Sequence, residues 1–211
     1  MRQYSGLDRF LSAVDEGCRV AFGFDTEPHL TPEECEEDSS LSDRQRRHSA
    51  SLMRVNHAGE VAAQGLYHGQ ALTAHSTETE SYMRKGAHEE KRHLLWCAER
   101  LHALHSRPSL LTPVWYWGSF GIGCLAGLMG DRWSLGFIKE TEDQVVEHLS
   151  SHLRLAPCHD QKTIDVIERI RTDELEHAKA AATAGAHELP TALKKLMQKT
   201  AKIMTGTAWY F

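Results

Sequence analysis

Apolar residues recur every three to four positions along almost the whole chain, and strict apolar–polar alternation is absent. That periodicity predicts an all-α fold. Leu7, Phe10, Leu11, Val14 and Cys18 mark a short amphipathic helix, followed by a polar, acidic linker, TEPHLTPEECEEDSSLSD. The pattern then predicts long helices over 45–75 and 77–105, the second ending before Pro108. Two more are expected over 132–155, stopping at Pro157, and over 160–184, ending at Gly185. A last short helix starts at Pro190, a favoured first-turn residue.

One stretch breaks the amphipathic pattern. PSLLTPVWYWGSFGIGCLAGLMG, residues 108–130, carries no charge, and its length would suffice for a membrane span. It also holds five glycines and two prolines, with Trp115, Tyr116 and Trp117 crowded towards one end. A transmembrane helix, a buried crossover and an apolar segment lying in a membrane surface are all compatible with it.

Composition narrows the classes. A chain of 211 residues is one domain, or a domain with an extension, large enough for a proper core. The net charge of −5 leaves no nucleic-acid footprint. Five cysteines without a C-x-x-C pair favour a reducing compartment and exclude a paired-cysteine zinc site. The N-terminus lacks the apolar core of a secretory signal. Fourteen histidines hint at metal.

That hint sharpens at HEEKRH, residues 88–93, which nearly spells the zinc-protease signature. His88 and His93 are five apart, so they diverge by about 140° around a helix and cannot share one ion in that manner. Glu90-x-x-His93 remains, its two side chains only about 60° apart. Glu99 and His102 form a second such pair half a turn away, so at most one of the two faces the core. Downstream, DELEH contains Glu174-x-x-His177. Glu60 precedes Glu90 by 30 residues, and Glu142 precedes Glu174 by 32. The chain thus reads as two helical hairpins, each offering Glu on one helix and Glu-x-x-His on the next. This is the ligand set of ferritin-like di-iron or di-manganese bundles.

Helix phase selects among the acids. Glu142 shares a stripe with Leu135, Ile138, Val145, Leu149 and Leu153, whereas Glu140 lies with Gly136, Asp143 and Glu147. Glu174 and His177 align with Ile167, Ile170, Ala178 and Ala181; Glu90 aligns with Met83, Ala87, Leu94, Cys97 and Leu101. Glu60 has the least apolar stripe: Met53, Asn56, Ala63 and Tyr67. Unpaired carboxylates on apolar stripes would be costly or protonated, and two divalent ions would balance four of them. A shared site also forbids a single membrane crossing between the half-sites, so 108–130 is better read as a crossover whose exposed face dips into one leaflet. Leu193, Leu196, Met197, Ile203 and Met204 give the last helix an apolar side for the same surface, with Lys194, Lys195, Lys199 and Lys202 facing headgroups; ordinary core packing is the alternative.

RVNHAGEVAAQGLYHGQ (54–70), EEKRH (89–93), TEDQVVEHL (141–149) and DELEHAKAA (173–181) closely resemble the demethoxyubiquinone hydroxylase family. The resemblance covers about residues 45–211 as a catalytic domain, leaving 1–44 as an N-terminal extension. It implies a ferritin-like four-helix bundle with a long apolar crossover and added terminal helices. The implied enzyme is a non-haem di-iron monooxygenase with two Fe ions per chain, hydroxylating 2-polyprenyl-3-methyl-6-methoxy-1,4-benzoquinol with O2 in ubiquinone biosynthesis. Its expected ligands are Glu60, Glu90, His93, Glu142, Glu174 and His177. Glu89 and Asp173 are expected to orient the ligand histidines, and His57 and His148 to hydrogen-bond site carboxylates. Peripheral attachment to the cytoplasmic face of the cell membrane, an electron donor of which NADH is one candidate, and self-association as a homo-oligomer also belong to the implied picture. A soluble ferroxidase or iron-binding protein with the same ligands is the rival class, and the uncharged, aromatic-tipped segment argues against it.

Overall fold

The computed structural model describes residues 6–23 and 41–211, and every regular element among them is a helix. They are α1 (Gly6–Ala21), α2 (Asp43–Thr73), α3 (Thr77–Ala103), α4 (Thr112–Leu128), α5 (Asp131–Leu155), α6 (Gln161–Thr183) and α7 (Thr191–Ala208). Helices α2, α3, α5 and α6 form a ferritin-like bundle, paired as α2–α3 and α5–α6 hairpins. Most of the acidic linker lies outside the described residues.

Local chemistry sets the helix ends. Ser42 and Gln45 form a capping box at the start of α2, and Ser76 accepts from Thr79 N at the start of α3. The Asp131 carboxylate accepts from the amides of His75 and Ser76, tying the start of α5 to that of α3. At α6, Asp160 accepts from Thr163 N while Arg100 of α3 donates to it at 2.7 Å, in a pair almost wholly buried. Gly185, with φ of 97°, ends α6 in a conformation that few other residues adopt.

The crossover is helical only over Thr112–Leu128, and no described helix is long and apolar enough to cross a membrane. Glycines join it to α2. A Cβ on Gly65 or Gly69 would strike the carbonyl oxygens of Tyr116 or Phe120, and one on Gly123 would strike that of Leu66. The opposite side of α4 is apolar and exposed: Val114, Ile122, Leu125 and Leu128, with Leu110 and Met129 at its ends.

Three expectations change. The last helix is not short, running 18 residues, and Leu196 and Ile203 on it are exposed. Lys194 is not turned to solvent as the helix phase suggested: its Nζ donates to Glu140 Oε2 at 2.9 Å and also to Glu188. Glu140 itself is buried, satisfied by Lys194 and by the Gln144 amide at 2.8 Å, instead of lying on an open polar face. The N-terminal helix also joins the bundle. Ala13, Val20 and Ala21 are buried, and Gly17 packs on Tyr116 and Trp117.

Candidate metal centre

The centre assembles from one face of each bundle helix. Glu60 comes from α2, Glu90 and His93 from α3, Glu142 from α5, and Glu174 and His177 from α6. Each acid lies on its helix's apolar stripe, so burying the stripe carries the acid inward. Glu60, Glu90, His93, Glu142 and Glu174 are at most 3% exposed.

Two groups of possible metal donors result: Glu60, Glu90, His93 and Glu174, and then Glu90, Glu142, Glu174 and His177. Glu90 and Glu174 belong to both. His93 Nδ1 lies 3.2 Å from Glu90 Oε2 and 3.0 Å from Glu174 Oε1. His177 Nδ1 lies 3.1 Å from Glu90 Oε1 and 3.2 Å from Glu174 Oε2. Each central glutamate therefore turns one oxygen to each histidine, the disposition of bridging carboxylates. Glu60 and Glu142 close the two ends, with Glu60 Oε2 3.8 Å from His93 Nδ1.

The outer ring nitrogens are held crosswise. His93 Nε2 meets Asp173 Oδ2 of α6 at 3.2 Å, and His177 Nε2 meets Glu89 Oε2 of α3 at 3.4 Å. Each acid beside one hairpin's ligand thus faces the other hairpin's histidine, leaving both Nδ1 atoms aimed inward. Tyr67 was not singled out in the sequence; its hydroxyl donates to Glu142 Oε1 at 2.8 Å. Gly86 leaves room for that ring, because a Cβ there would collide with it. The signal was available: Tyr67 is seven residues after Glu60, two turns along nearly the same face.

The expected roles of His57 and His148 are not met. Both ring nitrogens of buried His57 lack a partner among the described residues. His148 lies against the His152 ring, 4.0 Å between centroids, and its Nε2 is unpartnered. The histidine in use there is His152, whose Nδ1 pairs with Asn56 Oδ1 at 2.8 Å. Neighbours of the other pairs stay outside: His102 is exposed and Glu99 only half-buried.

Electrostatics shows what the donor set lacks. Burial and neighbouring carboxylates push Glu60 and Glu142 well above the usual carboxylate range. Burial would raise Glu90 as well, but hydrogen bonds from His177 and His93 hold it down at about 2. Burial opposes charge on the histidines too, yet hydrogen bonds to Glu174 and Glu90 push His93 up to about 12 and His177 up to about 10. Four buried carboxylates thus recruit whatever positive charge is nearby. Divalent cations supply it better, and a hard oxygen and imidazole set suits a first-row metal. The residues fit such ions by chemistry and by spacing.

A four-helix bundle with two such overlapping carboxylate–histidine groups defines a ferritin-like metal-carboxylate protein. The family model for ubiquinone biosynthesis protein COQ7 matches residues 47–208, and the chain belongs to that family. Relatives named 3-demethoxyubiquinol 3-hydroxylase include one from Legionella pneumophila (strain Paris), 49% identical with all of both chains covered. The Acinetobacter baylyi relative is 46% identical, also across all of both chains. That of Nitrosococcus oceani is 47% identical over 99% of this chain and 98% of its own. These matches extend over residues 1–44, which are therefore not an addition peculiar to this chain.

Proposed function

We propose that this chain is a di-iron monooxygenase that hydroxylates the ring of 2-polyprenyl-3-methyl-6-methoxy-1,4-benzoquinol in ubiquinone biosynthesis. The observation that carries the reading is the pair of four-residue groups sharing Glu90 and Glu174. Two irons would be held by Glu60, Glu90, His93, Glu142, Glu174 and His177, and bound iron supplies O2 activation. The overall reaction takes O2, two electrons and two protons, puts one oxygen on the ring and releases the other as water. The electron donor lies outside the chain.

The protein's own contribution is positioning and exclusion. Asp173 and Glu89 hold the histidine rings with Nδ1 inward, and Tyr67 steadies one oxygen of Glu142. Met53, Met83, Leu101, Ile138 and Ile170, all without measurable exposure, keep the bundle core apolar. A polyprenyl substrate resides in lipid, so we assign the exposed α4 face and Leu196 and Ile203 of α7 to one membrane leaflet, at the cytoplasmic face of the cell membrane. The test is anaerobic iron loading, then O2 and a short-chain quinol with a chemical reductant. Two irons per chain and a product heavier by one oxygen atom are expected; one zinc per chain with no hydroxylated product would overturn the reading.

A further inference from the structure

Buried polar side chains without partners are uncommon, because such a group gives up its hydration and gains no hydrogen bond in return. Two stand on α2 on either side of Glu60. His57, one turn before it, is 3% exposed with neither ring nitrogen partnered among the described residues. Gln64, one turn after it, is 2% exposed with its Nε2 equally unpartnered. Seven residues separate them, so they point about 20° apart and lie about 10.5 Å apart along the axis. Apart from Glu60 itself, their stripe is apolar or satisfied. Val61 packs with Val20 and Ala21 of α1, Leu94 of α3 and Tyr116 of α4. His68, the next polar residue along, has Nδ1 at 2.7 Å from the Tyr116 hydroxyl and Nε2 at 3.9 Å from Glu16 of α1.

We propose that His57 and Gln64 bind the two ring oxygens of the quinol, laying the aromatic ring along α2 beside Glu60. The inference rests on the proposed function and names how that site recognises its substrate. An aromatic ring with oxygens at opposite ends, each making a hydrogen bond of about 2.8 Å, spans a length similar to the separation of the two residues. The chemistry matches at each end. Burial holds His57 neutral, with its pKa at about 4, so one nitrogen accepts from a quinol hydroxyl while the other can donate. Gln64 Nε2 donates to an oxygen lone pair. Val61, between them on the same stripe, is the apolar contact for the ring, and the substrate satisfies the groups that the protein leaves unpaired.

The experiment uses the full-length, iron-loaded protein and a short-chain benzoquinol with every ring carbon substituted, so that it binds without reacting. Its Kd is read anaerobically from tryptophan fluorescence. Gln64→Met and His57→Leu are each expected to raise that Kd, and the KM of the reactive quinol, at least tenfold. The iron spectrum should not change, and the midpoint of thermal unfolding without quinol should hold or rise, because an unpaired buried polar group has been removed. His57→Gln, which keeps a donor and an acceptor, should recover part of the affinity. Should His57→Leu fail to fold, Gln64→Met and His57→Gln carry the test. Variant Kd values within twofold of wild type overturn the inference while leaving the hydroxylase reading intact. A wild-type protein that neither binds nor hydroxylates the quinol overturns both.

Discussion

At the scale of single residues, Glu140 and Glu142 are two positions apart on α5 and both buried, yet they answer to different partners. Glu142 joins the carboxylate group and accepts from Tyr67, whereas Glu140 is neutralised by Lys194 of α7. Glu142→Ala is therefore expected to abolish hydroxylation and reduce bound iron, with helix content by circular dichroism unchanged. Glu140→Ala should keep its iron and most activity while losing only about 0–1 kcal/mol of stability, because the partly exposed Lys194 keeps Glu188 as a partner. A Glu140→Ala protein without iron would show that the α7 anchor, and not the ligand alone, sets the centre. Histidines supply a second expectation. Burial lowers His57 and His68 to about 4 and His152 to about 3, against an ordinary 6.5. Above pH 6.5 neither state protonates them, so they add no pH dependence. Between 6.5 and about 4 the unfolded chain takes up protons that the folded chain refuses, and stability falls with pH. Thermal melts from pH 7.5 to 5 should show that decline, with a shallower slope for His152→Asn.

At the scale of elements, the decisive contact is the glycine-lined approach of α2 and α4. Backbone meets backbone there, so neither side can give way to a new methyl group. Gly69→Ala is expected to lose about 1–3 kcal/mol in denaturant titration, as overpacking does. Gly121→Ala, where a Cβ meets nothing, should be nearly silent. Equal effects would mean that α4 is held by its apolar side chains alone. The same contact explains a part of the pattern that the sequence left open. An uncharged stretch of 23 residues satisfies the length rule for a span, but close backbone packing against a bundle helix uses one side of it, so only the other side stays exposed.

Across the whole molecule, both hairpins must lie on the same side of any membrane, because α3 and α6 supply histidines to one centre. Cysteines introduced at 106 and 132, on either side of the crossover, should label from the same face of a vesicle; opposite faces would be incompatible with the bundle. Replacing Ile122 and Leu125 by aspartate should release the protein from vesicles without reducing iron content. This separates the exposed apolar face from the buried centre.

The helices, their approximate ends and the face on which each of the six donors lies were legible in the chain, because helical periodicity is local. An acid three or four residues from apolar residues on both sides is carried to the core wherever that helix packs. The repeated Glu and Glu-x-x-His spacing likewise placed the two half-sites without any knowledge of how they meet. What depended on approach between distant segments could not be read. Helix phase placed Lys194 and Glu140 on polar faces, but only the docking of α7 onto α5 brings them together. His57 and His148 were close to ligands in sequence; the packing left one without a partner and set the other against His152. The crosswise pairing of Asp173 with His93 and Glu89 with His177 was also a tertiary outcome. Sequence spacing orders residues along one helix, whereas a contact between helices depends on crossing angle and register, which the combined packing of all of them decides.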